Sequence, residues 1–97
     1  MRLVGSDVKT ASATSTATGG VDLTQHRSRL KGYVIAGGSS DGTVTFRDGS
    51  VSGTVLLVAP CNANDTETLS IPSEGVLFEN GIHAVLSNID RVTIFHS

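Results

Sequence analysis

Three histidines and one cysteine are the side chains of this 97-residue sequence best suited to metal binding or catalysis. A metal site or a nucleophile–base pair would require His26, His83 and His96 to converge from separate strands or loops. His83 alternates with apolar neighbours in the run IHAVL, so we expect it to face solvent. We therefore predict no metal ligand and no catalytic base among the histidines.

The segment PCNAND interrupts the apolar pattern and is predicted to be an exposed loop. Cys61 lies in this segment with no histidine nearby, and as the only cysteine it excludes an intrachain disulfide. We expect an inert thiol. The oxygen atoms of Asn62, Asn64 and Asp65 are of the type that calcium accepts, but their spacing is not that of a calcium loop. Asn and Asp are also ordinary turn residues, so calcium remains the less favoured interpretation.

The acidic and glycine-rich segments give no stronger indication of an enzyme. Asp48, Glu74 and Asp90 each lie beside a glycine or at a turn. A hydrolytic carboxylate pair needs a cleft of defined separation, which a small sheet protein with one Tyr and three Phe seldom provides. The run GGSSDG lacks the Lys-Ser/Thr of a phosphate loop. We predict a protein without catalytic activity and without a cofactor.

A basic cluster, HRSRLK, contains Arg27, Arg29 and Lys31. The net charge of -2 and the pI near 5.8 do not give the basic face that nucleic acid requires, and no aromatic residues are interleaved for stacking on bases. We therefore expect these cations to form salt bridges with an acidic neighbouring subunit.

The sequence shows neither a transmembrane stretch of about 18 apolar residues nor the apolar core of a signal peptide. It therefore predicts synthesis in the cytoplasm and no contact with a membrane.

Alternating apolar and polar residues predict a protein built from strands. A break containing Gly, Asn or Asp follows roughly every ten residues, which is typical of an antiparallel sandwich or barrel. No segment has convincing helical periodicity. The predicted strands cover residues 31–36, 43–48, 54–59, 66–71, 76–78, 82–86 and 91–96.

Individual strands carry more specific expectations. Residues 54–59, TVLLVA, are uniformly apolar and are predicted to form a central strand covered on both faces. In residues 66–71 the alternation predicts that Leu69 and Ile71 point inward. With Trp absent, the core must be mainly aliphatic, and the four aromatic side chains are placed mostly in it: Tyr33, Phe46, Phe78 and Phe95.

Residues 1–28 are predicted to be a flexible or extended arm, and residues 29–97 a single β-sandwich domain. The run TASATSTATGG cannot bury enough apolar surface to offset its ordering entropy. The alternative is a strand paired to a sheet edge, because Thr favours extended backbone. Earlier apolar residues could anchor the arm on a neighbour. The predicted partner contacts are Leu3, Val4, Val8, Arg27, Arg29 and Lys31.

Four segments resemble a group of small β-rich structural proteins of tailed bacteriophages. They are RLKGYVIAG, GTVTFRDGSVSGTVLLVAP, IPSEGVLFENGIHAVLS and DRVTIFHS. The shared pattern is a KG strand, a G-x-V-x-F/L-x-D-G hairpin, a P-x-x-G-(V/I)-L-F turn and a final V-T-(V/I)-F strand. The resemblance covers roughly residues 29–97 and rests mostly on turn and core positions.

This resemblance implies a virion component without enzymatic activity, made in the bacterial cytoplasm and located in the particle. Capsid decoration is slightly favoured over a neck, vertex or tail subunit. The implied partners are other virion proteins, either the major capsid protein or neck and tail subunits, together with copies of the chain itself. A small carbohydrate- or receptor-binding module is the alternative from a different class. It would usually expose aromatic side chains for stacking on sugars.

Overall fold

The computed structural model describes residues 9–14, 20–71 and 75–97. Within these residues every regular element is a β-strand and none is a helix. The strands form two antiparallel sheets that pack face to face, which confirms the predicted all-β, sandwich-like class. The strands are β1 (Lys9–Thr14), β2 (Val21–Asp22), β3 (Ser28–Gly37), β4 (Gly42–Asp48), β5 (Val55–Cys61), β6 (Thr66–Ser70), β7 (Val76–Phe78), β8 (Ile82–Ser87) and β9 (Ile89–His96).

Sheet I has the order β1-β9-β3-β6, and sheet II has the order β2-β8-β4-β5. The long strand β3 lies at the centre of sheet I. It pairs with β9 along one side, while β6 and β7 share the other side end to end. In sheet II the central strands are β4 and β8. Both sheets therefore join strands that are distant in the sequence.

The core lies between the two sheets, and alternation along the strands builds most of it. In β4 the side chains of Val44 and Phe46 are fully buried, while their neighbours in the strand are half-exposed. Tyr33 from β3 stacks on Phe46 with ring centroids 6.0 Å apart, which joins sheet I to sheet II. Phe78 is also fully buried. Of the four aromatic residues, only Phe95 alternates outward and is half-buried.

The turns explain why glycine occurs at particular breaks. Gly49 has φ +83° in the connection after β4, and Gly75 has φ +76° just before β7. An L side chain rarely adopts this left-handed region. At Gly75 a Cβ atom would also collide with the carbonyl oxygen of Leu30. These glycines are therefore requirements of the fold.

The prediction of a central strand at residues 54–59 is wrong. Strand β5 is the edge of sheet II, and the side chains of Leu56 and Val58 are 38% and 52% exposed. An uninterrupted apolar run is typical of a strand covered on both faces, but nothing in the run itself shows whether a neighbouring strand will lie beside it. In edge strand β6, Leu69 lies opposite the buried Tyr33 and so faces inward as predicted, although its edge position leaves it 40% exposed. Ile71 packs against the core, also as predicted.

Residues 9–14 follow the alternative interpretation of the N-terminal segment. Lys9–Thr14 forms strand β1, which pairs with β9 over its whole length and places Ala11 and Ala13 against the core. The ordering entropy is the reason to predict a mobile arm. Backbone pairing at six positions and two small apolar contacts offset this entropy. Leu3, Val4 and Val8 lie outside the described residues, and the domain boundary after residue 28 stays a prediction.

Candidate functional site

His83 and Asp22 form a close pair of ionisable side chains in the described part of the structure. Strand β2 runs antiparallel to β8 with Asp22 opposite His83, and Asp22 Oδ1 lies 2.6 Å from His83 Nδ1. The imidazole is 8% exposed and the carboxylate 40%. Gly20 lies close to the ring, because a Cβ atom there would be 2.7 Å from His83 Nε2. The expectation that His83 faces solvent is therefore wrong: it points away from the core, but β2 and Gly20 cover it.

Replacing Asp22 with alanine should lower the free energy of unfolding by about 1–2 kcal/mol, because a buried ring nitrogen loses its carboxylate partner. Urea denaturation followed by circular dichroism measures this change. Glu79→Ala is the matched control, because that carboxylate is exposed. If Asp22→Ala and Glu79→Ala agree within about 0.5 kcal/mol, the pair does not stabilise the fold.

A second polar cluster joins Thr24, His26 and Ser28. Ser28 Oγ donates to the His26 carbonyl oxygen at 2.9 Å and lies 3.0 Å from Thr24 Oγ1 and 3.3 Å from His26 Nδ1. Thr24 Oγ1 in turn accepts the backbone N–H of Ile82 at 2.9 Å. A serine beside an imidazole has the composition of a nucleophile–base pair. However, Ser28 is 2% exposed and its hydroxyl is used by the loop, so this cluster ties the connection between β2 and β3 to sheet II.

His96 lies on the same face of β9 as Val92 and Ile94 and is 5% exposed. Its Nδ1 atom is buried without a hydrogen-bond partner in the described part of the structure. Burial lowers the pKa of His96, and the nearby charges of Lys9 and His26 act in the same direction. His26 is thus close enough to act on His96 electrostatically, whereas His83 is paired with Asp22 between β2 and β8. Across the described ranges, no three His, Cys, Asp or Glu side chains are grouped so that they could hold a metal ion.

Cys61 is the last residue of β5 and is 3% exposed, so its predicted position in an exposed loop is wrong. Its thiol lies 3.5 Å from the carbonyl oxygens of Asn62 and Asp65. Burial raises the pKa of Cys61, and the neighbouring carboxylates of Glu67 and Asp65 raise it further. At neutral pH the group is a covered, protonated thiol, and its inert role stays a prediction.

The loop after Cys61 uses its polar atoms as turn residues do. Asn64 has φ 56°, and its N–H donates to the Gly38 carbonyl oxygen at 2.8 Å. Asp65 Oδ1 accepts the N–H of Thr66, and Asp41 Oδ1 accepts that of Ala63, both at 2.8 Å. These carboxylates shape the loop between the two sheets.

The predicted contact residues that the structure describes lie on or beside sheet I. Arg27 is exposed in the connection before β3. Arg29 and Lys31 are half-buried and alternate with the buried residues Ser28 and Leu30, so they point to the outer face of the sheet. The outer face of central strand β3 therefore carries positive charge at its N-terminal end.

Among the described residues, edge strand β5 carries three exposed large apolar side chains, those of Val55, Leu56 and Val58, a feature that the apolar run alone did not reveal. Leu56, Val58 and Pro60 alternate with inward-facing residues and are exposed on the outer face of sheet II. The signal available in the sequence was Pro60, because proline within a strand indicates an edge position.

Comparisons with known protein families, with curated proteins and with solved structures find no match to this chain. None of the described residues belongs to a helix long and apolar enough to cross a membrane. The described polar clusters satisfy loops and strand ends, whereas β5 exposes apolar side chains on the outer face of sheet II.

Proposed function

We propose that the chain is a structural protein of a tailed-bacteriophage virion, specifically a capsid decoration protein that contacts neighbouring subunits through its N-terminal segment and its sheet edges. The observation that carries the proposal is where the resembling segments lie. They form β3, the β4 strand with the turn at Gly49, the β7 strand preceded by Gly75, and β9. These positions determine the sandwich itself, so a shared pattern there supports a shared fold.

The surface supports an assembly role. Each described sheet is open, so strands β1, β2, β5 and β6 each present one side without a described neighbour. Open edges and outer faces are the places where a second subunit can add strands or salt bridges. The cations Arg29 and Lys31 lie on such a face and suit an acidic partner.

The proposal is tested by binding to purified phage particles. Undecorated capsids and isolated tails are mixed separately with the protein, and the bound fraction is measured by co-sedimentation. Binding to capsids is expected for decoration, and binding to tails alone would identify a neck or tail subunit. Failure to bind either particle, by a protein shown to be folded, would contradict the virion role.

Charge reversal in the basic cluster tests whether these cations bind the capsid. Reversing Arg27, Arg29 and Lys31 to glutamate should weaken capsid binding at least about tenfold, because attraction to an acidic partner becomes repulsion. Binding of the unmodified protein should also weaken with added salt. Arg91→Glu is the control, since Arg91 is an exposed cation on the far part of the same sheet. The triple reversal lowers the net charge by about six and Arg91→Glu by about two, so Arg91→Glu is compared with Arg29→Glu alone. Equal losses in these two single variants would show that net charge, and not this cluster, determines binding.

A further inference from the structure

Strand β5 has one paired side and one open side. Its residues pair with β4 from Gly42–Cys61 to Arg47–Val55, and within the described residues no strand lies on its other side. An open side of this kind presents backbone N–H and C=O groups that another extended strand can bind.

The outer face beside this open side is apolar. Leu56 and Val58 are 38% and 52% exposed, whereas Ala59 and Cys61 on the opposite face are buried. Val55, at the start of the strand, is 42% exposed. The exposed apolar area is therefore continuous with the open backbone edge, so that one approaching strand would cover both.

Strand β5 has little of the usual protection against such pairing. Monomeric proteins place lysine or other charged residues on edge strands, but VLLVAPC contains no charge. Two features blunt this edge: Pro60 lacks a backbone donor, and the register shift between Phe46 and Arg47 makes β5 irregular between Leu57 and Val55. Pro60 limits pairing to the part of the strand from Val55 to Ala59.

A second copy of the same strand matches this edge. Two antiparallel strands related by a twofold axis at Leu57 would place Leu56 of each copy opposite Val58 of the other. The exposed apolar side chains of Leu56 and Val58 would thus meet apolar partners, and no charge would be buried between the strands.

The charges at the two ends of β5 favour the antiparallel direction. At the Cys61 end, the carboxylates of Glu67, Asp65 and Asp41 all act on the thiol. At the Val55 end, Arg47 neighbours Val55 across the pair, and the Asp48 carboxylate there accepts the N–H of Asn80. An antiparallel pair sets the negative end of one copy beside the end of the other at which the charges of Arg47 and Asp48 offset each other. A parallel pair would set the two negative ends together.

We infer that β5 is a homodimerisation edge, through which two copies of this chain join their four-stranded sheets into one continuous antiparallel sheet. The biological use of this dimer rests on the proposed assembly function, but its formation depends on the fold alone. Only about five residues pair, so the dimer should be weak, with a Kd on the order of 100 µM in solution.

Sedimentation equilibrium over a concentration series tests the inference on the full chain. The average mass should rise from monomer to dimer and no further. Val58→Lys should weaken dimerisation at least about tenfold, because the two symmetry-related copies each place a charge against an apolar partner. Thr45→Lys is the matched control. Thr45 lies on β4, where it pairs with Val58, and is therefore one strand further from the edge. It should leave Kd within about twofold of the unmodified value.

The strand register has its own test. In a Leu56→Cys/Val58→Cys double variant, oxidation should link two copies through both opposing pairs, whereas each single variant should cross-link far less. Cys61 is buried and does not compete in the folded protein. Hydrogen exchange should also show that the amides of residues 55–59 gain protection as concentration rises.

Three outcomes would overturn the inference. The protein could remain monomeric to about 1 mM, Val58→Lys could dimerise like Thr45→Lys, or the amides of β5 could be protected equally at every concentration. The last result would show that residues of the same chain cover the edge. Capsid binding by a Val58→Lys monomer would refute the dimer's use in assembly and leave the virion role standing. A dimer that binds no particle would refute the virion role and leave the inferred dimer standing.

Discussion

Replacing Phe46 with alanine is expected to lower the free energy of unfolding by about 3–5 kcal/mol. Phe46 is fully buried at the centre of β4 and stacks on Tyr33 of the opposite sheet. With Trp absent and three Phe residues in the chain, the neighbouring aliphatic side chains have little bulk with which to fill the resulting cavity. Small domains are stable by only about 5–15 kcal/mol, so this single change should leave the protein near its folding threshold.

Urea denaturation followed by circular dichroism measures the loss, and Phe95→Ala is the matched control. Phe95 is half-buried on the outer face of β9, so the same truncation there should cost about 1–2 kcal/mol. The slope of the unfolding transition should stay constant in both variants if each one remains a cooperative sandwich. Comparable losses in Phe46→Ala and Phe95→Ala would contradict the placement of the core between the sheets.

The fold class could be predicted from the sequence because it depends on local signals. In TVTFRD the alternation predicts the inward direction of Val44 and Phe46, and both are fully buried. Asp48-Gly49 predicts the turn that follows, where Gly49 has a positive φ. These features are encoded within a few residues, so they do not depend on which strands become neighbours.

The strand order could not be predicted in the same way. The run TVLLVA satisfies the pattern of a buried central strand, and yet β5 is an edge. The run TASATSTATGG has the composition of a mobile arm, and yet Lys9–Thr14 pairs with β9. In both cases the deciding factor is whether a partner from a distant part of the chain lies alongside.

The polar clusters also depend on which distant strands become neighbours. Asp22 and His83 are separated by 61 positions, and only the pairing of β2 with β8 brings them within 2.6 Å. Alternation correctly predicts that His83 points away from the core, but it does not show that β2 and Gly20 will cover that side. These two ionisable residues therefore join β2 to β8.

Acidification should destabilise the protein through His96, and His96→Leu should remove most of that sensitivity. The imidazole is 5% exposed at the end of the core, and Nδ1 has no partner among the described residues. Burial lowers the pKa of His96 below its ordinary value of 6.5, and Lys9 and His26 lower it further, while a backbone hydrogen bond at Ser97 opposes them. The neutral ring is therefore the form that the fold accommodates.

The sign of the pH dependence follows from this lowered pKa. The unfolded chain takes up a proton on His96 as the pH falls through about 6.5, whereas the folded chain does so only at a lower pH. Between these two values the unfolded state binds more protons, so stability falls with falling pH, and this contribution levels off below the folded pKa. Above about pH 6.5 both states carry a neutral ring and the contribution is constant.

Urea denaturation at a series of pH values from about 7.5 to about 5 measures the effect. At neutral pH His96→Leu should already be more stable by about 1–3 kcal/mol, because it removes a buried nitrogen that lacks a partner. It should also show a flatter profile toward acid. His26→Gln is the control, because it removes an exposed imidazole and should keep most of the acid loss while reducing the repulsion on His96. A His96→Leu profile as steep as that of the unmodified protein would assign the acid sensitivity to other groups.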